Sequence, residues 1–569
     1  MKLNIFAKAA VAAAALSLAI SSCVSLNEDL GQNLIPSDQL YKIYIDTLYI
    51  DQLETKSPEK LSAFSSYRLT LGAIRDENCG LSTRGTAFTL IPIQDSLNLG
   101  TNTKINQFHL SVKKDTLSYN NRSQKHILQG IKVYQLEKEG IPTEKLWDTL
   151  TYTNDLNPDD FAGKPIITKG IPVYSGGDSL SFDFNEKFSK AFVDALATMN
   201  SSTGTCKPDS IKQYVSRVPS VYMTTDQPEG NGGRFNLFEL KLGVRDGYIT
   251  GNYAELKITA DYGERKDVDT SFIFMLGATN FVGDRTQIPT QTALNTSSQE
   301  NVSNSEITDS YTIEGGSGMK PVISSKELYD QFATHIMSNP DKKVNSLKDI
   351  IINKATVILP FEFDYETIDY YPTILNPTCR IESQDKKSIR YASISDASVS
   401  SENKGNIDRS VLCYKPDISY HFQQIIRLNE DAKDFSNYDL WMFIMRDEII
   451  KQTQQLQNNN DDFYNALMMQ QYYNSMYDPY GYGGYGGYGG YGGYGGYGGY
   501  GGYGYGNNYY NYYMMQQMYN SQSSTEQVQK TTQLDTDRFY NAKLHGPAAT
   551  NKNDRPRVVV IYSIPNDIK

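Results

Sequence analysis

Short runs in which apolar and polar residues alternate dominate the chain from residue 43 onward. Such runs occupy 67–71, 87–91, 108–112, 131–136 and 180–184, and polar turn residues separate them. A two-residue period places the apolar side chains on one face of a half-buried strand. The pattern therefore predicts a mainly β fold, built as two jelly-roll or sandwich-like modules, and it does not fit βαβ units.

A few short helices are expected to pack on these sheets. Asn185 can cap a helix over 186–199, whose apolar side chains recur at helical spacing. Ser324 or Ser325 can cap a second amphipathic helix. Residues 280–310 are rich in Asn, Ser, Thr and Gln and show little periodicity, so they predict a long polar loop.

The strand pattern is interrupted once, and the interruption defines the domain organisation. We assign 41–320 to a first β domain and 321–449 to the first part of a second β domain. Residues 450–535 lose the pattern and become a low-complexity segment rich in tyrosine and glycine, and strand patterns return in 536–569. The low-complexity segment is therefore an insertion into the second domain, whose last strands follow it.

Tyrosine recurs every third residue within the insertion, and glycine pairs separate the copies. The repeated residues are Tyr482, Tyr485, Tyr488, Tyr491, Tyr494, Tyr497, Tyr500 and Tyr503. A period of three matches neither a strand nor an α-helix, and glycine loses more backbone entropy on ordering than other residues. We expect a flexible, disordered arm. Its tyrosines are candidate binding residues for a protein or a glycan, and the alternative is a tolerated loop expansion.

The N-terminus has the order of features typical of a bacterial lipoprotein signal. Lys2 and Lys8 precede an apolar run over 9–20, and small residues then lead to Cys23. As a helix the run would span roughly 18 Å, which is too short for about 30 Å of hydrocarbon. We therefore expect residues 1–22 to be a signal peptide, Cys23 to carry the lipid, and 23–40 to be a polar tether outside the cytoplasm.

The charge balance excludes one large class of partners. The net charge is −11, and residues 1–22 contain two lysines and no acidic residue, so loss of the leader makes it −13. Nucleic acid binding needs dense Lys and Arg to displace counterions, which this chain lacks. A basic patch for anionic lipid is not expected either, so the acyl anchor would hold the protein to the membrane.

Four cysteines remain after lipidation of the first. They are Cys79, Cys206, Cys379 and Cys413. An even number outside the cytoplasm permits disulfides, and Cys379 with Cys413 is the most local pairing. Free buried thiols are an equally good interpretation of such a sparse set.

Catalytic and metal-binding motifs are missing from the sequence. It contains no His-Glu-x-x-His, no Cys-x-x-Cys, no P-loop and no nucleophile elbow, and the five histidines are scattered. Glu362, Asp364 and Glu366 alternate with aromatic residues and on a strand would share one face. That face could bind calcium, but a solvated strand face has the same pattern. We predict no catalytic residue, no cofactor and no metal site.

One tripeptide, Asp followed by Ser or Thr and an aliphatic residue, occurs six times in the first half of the chain. Average composition would give roughly two copies in a chain of this length. The tripeptide resembles the O-glycosylation sequon of Bacteroidota envelope proteins. The alternative is that Asp and Thr are common where strands start. The hydroxyl residues that would carry glycan are Thr47, Ser96, Thr116, Thr149, Ser179 and Ser210.

Several short motifs, in this order, resemble a family of Bacteroidota outer-membrane lipoproteins of unknown function. They are Gly31-x-x-Leu34-Ile35-Pro36, Leu71-Gly72 with Asp76 and Gly80, Glu314-Gly315-Gly316-Ser317-Gly318, Asn353-Lys354-Ala355, and Arg555-Pro556 before Val558–Tyr562. The resemblance implies an all-β, two-module lipoprotein at the outer membrane, without established catalytic residues. Glu28 and Asp29 resemble the surface-export signal of such lipoproteins, so we expect surface exposure rather than a periplasm-facing anchor.

Three functions fit these features. The first is a non-enzymatic accessory or structural subunit of an envelope complex that assembles β-barrel proteins or transports substrates, with an outer-membrane β-barrel protein as partner. The alternative is a surface glycan-binding lipoprotein, because jelly rolls and exposed tyrosines often hold sugars. A glycoside hydrolase is the weakest hypothesis, since the sequence cannot show two carboxylates about 5–10 Å apart in a cleft.

Overall fold

Antiparallel strands build most of the computed structural model of the chain. It describes residues 41–65, 68–77, 80–92, 97–115, 127–136, 157–168, 173–197, 217–240, 242–245, 248–281, 287–290, 293–300, 309–342, 344–365, 368–382, 389–396, 404–430, 435–452 and 527–565. The mainly β, sandwich-type fold that the alternating pattern predicts is confirmed.

The strands before residue 300 are β1 (Tyr41–Tyr49), β2 (Glu54–Lys56), β3 (Phe64–Ser65), β4 (Arg68–Asp76), β5 (Gly80–Pro92), β6 (Thr101–Lys113), β7 (Gln129–Leu136), β8 (Ala162–Pro165), β9 (Val173–Tyr174), β10 (Ser179–Asp183), β11 (Val221–Thr225), β12 (Gly232–Glu239), β13 (Leu242–Arg245), β14 (Tyr248–Gly251), β15 (Tyr253–Tyr262), β16 (Arg265–Phe281), β17 (Gln287–Thr290) and β18 (Ala293–Gln299).

The later strands are β19 (Ser310–Glu314), β20 (Lys320–Ile323), β21 (Ile351–Pro360), β22 (Ile374–Glu382), β23 (Ile389–Ser393), β24 (Ile407–Asp408), β25 (Cys413–Tyr414), β26 (Leu440–Gln452), β27 (Gln527–Leu534), β28 (Asn541–His545) and β29 (Arg557–Pro565). The α-helices in the described ranges are α1 (Glu186–Ala197), α2 (Ser325–Met337) and α3 (Ser419–Ile425). Single 3-10 turns occupy Pro158–Phe161, Leu347–Asp349, Ile368–Tyr370, Phe435–Tyr438 and Lys552–Asp554.

The first module is one large sheet system of 14 strands, which contains β3 to β12 and β15 to β18. Its central strand is β5, which changes partners along its length: it pairs with β4 and β18 near its start and with β11 and β16 near its end. Because it has neighbours on both sides, β5 is buried along nearly its whole length. The buried residues of β5 include polar ones, Ser82, Arg84, Thr86 and Thr89.

An aromatic cluster fills the core between α1 and the sheet. The ring of Phe108 on β6 lies 4.9 Å from Phe184, 5.1 Å from Phe192 of α1 and 5.8 Å from Phe274 of β16, measured between centroids. The predicted cap is confirmed, because Asn185 Oδ1 accepts a hydrogen bond from the Phe188 backbone N–H at 2.9 Å. The cap starts the helix at the position that brings its apolar face onto the sheet.

The second module combines a five-stranded sheet, in the order β1-β29-β21-β25-β24, with a six-stranded sheet built on β2-β20-β26-β22-β23 and β27. A single hydrophobic core joins these sheets to α2 and α3. Phe332 of α2 is at its centre, with edge-to-face contacts to Phe422 of α3 at 5.3 Å and to Tyr562 of β29 at 5.1 Å. Ser324 is the N-cap of α2, as predicted, and its side chain accepts from the Glu327 N–H.

The first described strand is fixed to the end of the chain. β1 pairs with β29 in register along all nine residues, from Tyr41↔Pro565 to Tyr49↔Arg557. On the inner face, Asp46 Oδ2 accepts hydrogen bonds from Lys342 Nζ and from Tyr562 Oη, both at 2.6 Å. Burial raises the pKa of Asp46, but the bonds from Lys342 and Tyr562 and the charge of Lys342 lower it further, so the net shift is downward.

Strand pairing divides the chain differently from the sequence pattern. The prediction placed 41–320 in the first domain, yet β1 pairs with β29, β2 with β20 and β19 with β28. Residues 41–56 and 310–320 therefore belong to the second module, and the first module is inserted between β2 and β19. Alternation reveals strands but carries no information about partners more than 500 residues away in sequence.

The segment that was predicted to be a long polar loop contains strands. The polar loop expected over 280–310 is wrong, because β16 continues into it and β17 and β18 lie within it. Asn295 on β18 is buried, yet its amide is satisfied by the Thr86 hydroxyl at 2.9 Å and the Arg68 carbonyl at 2.9 Å. Buried polar residues that have hydrogen-bond partners do not produce the two-residue apolar period from which strands are predicted.

The strands on either side of the tyrosine-glycine insertion pair with each other. β26 and β27 form an antiparallel hairpin from Met445↔Leu534 to Gln452↔Gln527. β26 therefore extends to Gln452 and β27 begins at Gln527, so strands occupy both ends of the predicted insertion, 450–535. The sequence pattern did not predict β22, whose run contains Pro377, or α3, which has only seven residues.

Replacement of Phe192 by alanine should lower the free energy of unfolding by about 3–5 kcal/mol, because the site contacts three other aromatic rings and cannot collapse fully. Chemical denaturation followed by circular dichroism measures this. The control is Lys190→Ala on the exposed face of the same helix, for which a change within about 0.5 kcal/mol is expected. Equal effects of the two substitutions would contradict the assignment of the core.

Candidate functional site

A glycine-rich turn joins β19 to β20 and forms the centre of the polar contact between the two modules. The turn is 314–318, with the sequence Glu-Gly-Gly-Ser-Gly. Gly316 has a φ of +57°, which favours glycine, and a side chain there would collide with the guanidinium group of Arg84. Gly315 lies against the backbone oxygen of Arg538. The turn therefore needs glycine both for its conformation and for space.

The ammonium group of Lys320 donates hydrogen bonds to three backbone carbonyls of this turn. The same group lies 5.9 Å from the centroid of the Phe443 ring. Burial lowers the pKa of Lys320 to about 7, and the carboxylate of Glu314 opposes this shift. The three oxygens that accept hydrogen bonds from Nζ are the backbone carbonyls of Glu314 at 2.7 Å, Gly316 at 3.1 Å and Gly318 at 2.7 Å.

Arg84 of β5 is the contribution of the first module to this centre. Its side chain is buried, and its guanidinium carbon lies 5.1 Å from the centroid of the Phe235 ring. Burial lowers the pKa of Arg84 to about 10, and the charges of Asp537, Glu314 and Asp535 oppose the shift. Arg84 remains a cation at neutral pH and faces three carboxylates of the second module.

Two aspartates that follow β27 complete the charge cluster. Asp535 accepts hydrogen bonds from Arg446 at 3.2 Å, from Arg538 at 2.6 Å and from the Tyr540 hydroxyl at 2.5 Å. Burial raises its pKa, but the two arginines and Tyr540 lower it further. Arg446 also lies 3.4 Å from Asp537, whose pKa burial raises. The bonds to Arg446 connect this cluster to the base of the β26–β27 hairpin.

Direct contacts between the modules surround the cluster. The hydroxyls of Ser297 on β18 and Ser317 in the turn are 2.7 Å apart. Asp76 at the end of β4 accepts a hydrogen bond from Asn541 of β28 at 3.0 Å. Phe235 and Phe539 meet edge to face at 5.6 Å. The joint thus combines buried charges, hydrogen bonds and an aromatic pair.

A small cavity lies within the joint. Its volume is about 10 Å³, and it is lined by both modules, including Thr70, Arg84, Thr296, Ser317 and Asp537. Within the described part of the chain, the lining atoms Thr70 Oγ1, Thr296 Oγ1, Arg84 Nε and Arg84 Nη1 have no hydrogen-bond partner in the protein. A volume of this size fits one water molecule and no organic substrate. The cavity lies where side chains of both modules meet.

A cysteine and a histidine meet in the second module, but they do not form an activated pair. Cys379 Sγ lies 3.9 Å from His421 Nε2, and that nitrogen is 2.8 Å from the backbone oxygen of Tyr438. Burial raises the pKa of Cys379 to about 12, and burial lowers the pKa of His421. A nucleophilic cysteine needs the opposite shift, towards the thiolate. The pair does not support thiol catalysis.

Of the two interpretations left open for Cys379 and Cys413, the structure has free thiols and not a disulfide between them. Cys379 lies on β22 of the six-stranded sheet, whereas Cys413 lies on β25 of the five-stranded sheet. The other two cysteines, Cys79 and Cys206, lie outside the described residues.

The predicted row of carboxylates does not form on a strand. β21 ends at Pro360, before Glu362, and Glu362 pairs with Lys543 at 2.8 Å. Glu366 lies outside the described residues. In the ranges that the structure describes, no group of three or more His, Cys, Asp or Glu residues has an arrangement that could hold a metal ion.

Two of the six candidate glycosylation residues lie in the described part of the chain. Ser179 is exposed at the start of β10, and Thr47 is half-buried within β1. In two copies the aspartate has a structural partner: Asp46 binds Lys342, and Asp115 binds Arg68 at 2.5 Å. These contacts support the alternative in which Asp stabilises strands, and glycosylation stays a prediction. Ser96, Thr116, Thr149 and Ser210 lie outside the described residues.

The cysteine predicted to carry lipid and the tyrosine repeat also lie outside the described residues. They are Cys23, Tyr482, Tyr485, Tyr488, Tyr491, Tyr494, Tyr497, Tyr500 and Tyr503. The described chain shows only where they attach: the tether leads into β1, and the repeat lies between β26 and β27.

Comparisons with protein-family models, with curated proteins and with solved structures gave no match to this chain. Among the described helices, none is long and apolar enough to span a membrane. The motifs quoted for the lipoprotein resemblance nevertheless occupy defined positions. The glycine turn and Asp76 lie at the joint, and Asn353 is the extra residue of a bulge in β21, where it bonds Ser563 at 2.6 Å.

Replacement of Lys320 by methionine should lower the free energy of unfolding by about 3–5 kcal/mol, because the inward-facing carbonyl groups of the turn lose their shared donor. The control is Lys190→Met on α1, an exposed lysine for which a change within about 0.5 kcal/mol is expected. Equilibrium denaturation measures both.

The same variant should change the pH profile of stability. The pKa of Lys320 in the folded chain lies below the ordinary lysine value of 10.5, so the unfolded chain binds more protons above pH about 7. Wild-type stability should therefore rise as the pH increases above about 7, and Lys320→Met should lack this rise. Identical profiles would show that Lys320 does not titrate in this range.

Proposed function

We propose that this chain is a non-enzymatic outer-membrane lipoprotein that serves as an accessory or structural subunit of an envelope complex, such as one that assembles β-barrel proteins or transports substrates. Cys23 would carry the lipid, and the β modules would act as a rigid scaffold. An outer-membrane β-barrel protein is the proposed partner, and the cell surface is the proposed location.

The observation that carries this proposal is the attachment of the tether and the insertion to one module. β1, which follows the tether, and β26, which leads into the insertion, contribute to the same hydrophobic core, through Leu48 and Ile50 of the N-terminal part and Met442 and Ile444 of β26. A segment that is presented on a hairpin of an anchored module is held near the membrane. This arrangement suits a protein that positions a binding segment beside a membrane partner.

The joint supports a scaffold role as well. Its charges come from both modules and are buried, so separation of the modules would expose Arg84 and leave Asp537 with fewer cations. Removal of one partner from a buried ion cluster typically costs about 3–5 kcal/mol. The two modules should therefore move as one body.

One observation favours the alternative of glycan binding. Phe363 and Tyr365 follow β21 and are 55% and 81% exposed. Exposed aromatic rings beside carboxylates such as Glu362 can stack on sugar rings while the acids accept hydroxyl hydrogen bonds. Affinity purification from native membranes discriminates between the proposals. A stoichiometric barrel protein supports the accessory subunit, whereas retention on polysaccharide that Tyr365→Ala abolishes supports glycan binding.

Lipidation is tested by Cys23→Ala in the native host. The variant should move from the membrane pellet to the soluble fraction, because acyl chains supply the stable anchoring that no described helix provides. Metabolic labelling with fatty acid should mark the wild type only. Cys379→Ala is the matched control and should leave both labelling and fractionation unchanged. A labelled or fully pelleted Cys23→Ala protein would reject the proposed anchor.

Deletion of 482–503 should leave the melting temperature nearly unchanged, because glycine-rich chain buries little apolar surface and the β26–β27 hairpin remains closed. If the repeat binds the partner, recovery of the complex from membranes should fall. A same-length variant with serine at all eight repeat tyrosines separates side-chain chemistry from length. Full recovery with both variants would reject a binding role for the repeat, and a large drop in melting temperature would show that its tyrosines are core.

A further inference from the structure

The outward face of the five-stranded sheet exposes several apolar side chains near the start of β1, and the buried Ser563 of β29 lies between those on β1 and the one on β21. Thirteen large hydrophobic side chains are exposed in the described residues, and four of them lie here: Tyr41, Ile43 and Ile45 on β1 and Ile351 on β21. The register joins them, because Ile43 and Ile351 both pair with Ser563 of β29. Directly paired residues point to the same side of a sheet. We call this surface, with the half-buried Ile561, the β1 face.

The opposite side of β1 explains why this face stays outside. Leu48 points into the core, Tyr44 stacks on Tyr562 with centroids 5.7 Å apart, and Asp46 is bound by Lys342 and Tyr562. A one-residue slip in the pairing of β1 would exchange its two faces and break all of these contacts. The isoleucines are therefore held outward by the inner face.

We propose that the β1 face rests on the surface of the membrane to which the chain is anchored, with Tyr41, Ile43 and Ile45 at the boundary between headgroups and acyl chains. The inference rests on the proposed lipidation of Cys23. Only 17 residues separate Cys23 from Tyr41. Whatever their conformation, 17 residues reach at most about 60 Å. The apolar surface begins where this tether ends.

Tethering decides which occupant the face fits. Few apolar side chains form a weak binding surface, which would not hold an untethered protein partner at low concentration. A short flexible linker gives an effective concentration in the millimolar range, so even a weak contact with the bilayer is made most of the time. Tyrosine is also enriched at the membrane–water interface, where its ring is in apolar surroundings and its hydroxyl is hydrated.

The charges around the face agree with this occupant. The chain is acidic overall, but the outward-facing positions of β1, β29 and β21 include no Asp or Glu, and they include Lys354 and Arg557. Lys354 is exposed in the row of Ile45 and Ile561. Anionic lipid attracts nearby basic side chains, and long basic side chains reach the headgroups from an apolar surface.

The first test uses the full mature chain with Cys23→Ala, so that no acyl chain contributes. Flotation with vesicles of phosphatidylethanolamine and phosphatidylglycerol measures the partition coefficient. The double variant Ile43→Ser with Ile45→Ser should lower this coefficient on the order of tenfold or more. The matched control is Leu128→Ser with Val173→Ser in the first module, where the side chains are 65% and 59% exposed against 69% and 66% for the tested pair. The control should not change partition.

The second test uses the acylated chain in vesicles that contain brominated phospholipid. A tryptophan at position 43, introduced as Ile43→Trp, should be quenched, and one introduced as Val173→Trp should not be, after subtraction of the wild-type signal. Melting temperatures of all variants establish that each is folded.

The outcomes separate this inference from the proposed function. No quenching at position 43, or equal partition of the tested and control pairs, overturns the membrane contact. Loss of a co-purifying protein in the Ile43 and Ile45 variant, without lipid quenching, also overturns it and assigns the face to a protein partner. Cross-linking of two copies through position 43 would assign it to self-association and overturn it equally. Failure of Cys23 lipidation would not alter the flotation result, because the chain used there carries Cys23→Ala and is not acylated.

Discussion

The hydrogen bonds from Lys320 to the glycine turn are the interaction on which the rest of the structure depends. One ammonium group satisfies three carbonyl oxygens of a turn that has no room for side chains at Gly315 and Gly316. With the turn closed, Gly316 offers a flat surface to the guanidinium of Arg84 from the other module. A buried charge is unfavourable unless it is fully hydrogen-bonded, so this turn has one good conformation.

That constraint explains how a discontinuous module holds together. The second module is formed by the two ends of the described chain, through β1 with β29 and β2 with β20, and the first module is inserted between them. The insertion of a whole domain requires its two connections to lie close together. The hydroxyl pair of Ser297 and Ser317 lies beside one of these connections, and Ser57, whose hydroxyl donates to the Ser317 carbonyl at 2.6 Å, lies beside the other. Hydrogen bonds at the polar joint therefore stabilise both chain connections between the modules.

Local structure could be read from the sequence, whereas long-range pairing could not. The helices that begin after Asn185 and Ser324 could be predicted, because capping is a local interaction between residues close in sequence. The alternating runs predicted the strands of both modules for the same reason. The partner of β1 is 516 residues away at the Asp46–Tyr562 bond, and no local signal encodes it. β18 escaped notice because the residues that bury it, Asn295 among them, are polar and are satisfied by other strands.

The candidate site shows the same division. The glycine turn was visible as a motif, but its role depends on Arg84, Asp535 and Asp537, which are scattered over more than 450 residues. Their convergence leaves a cavity with room for about one water, and the charges of Arg84 and Asp537 face each other across the contact between the modules. Two features proposed for interaction lie on the second module: the apolar side of β1 and the β26–β27 hairpin, between whose strands the tyrosine repeat lies. Both are fixed to one core, so a contact at β1 reaches the hairpin through packed side chains.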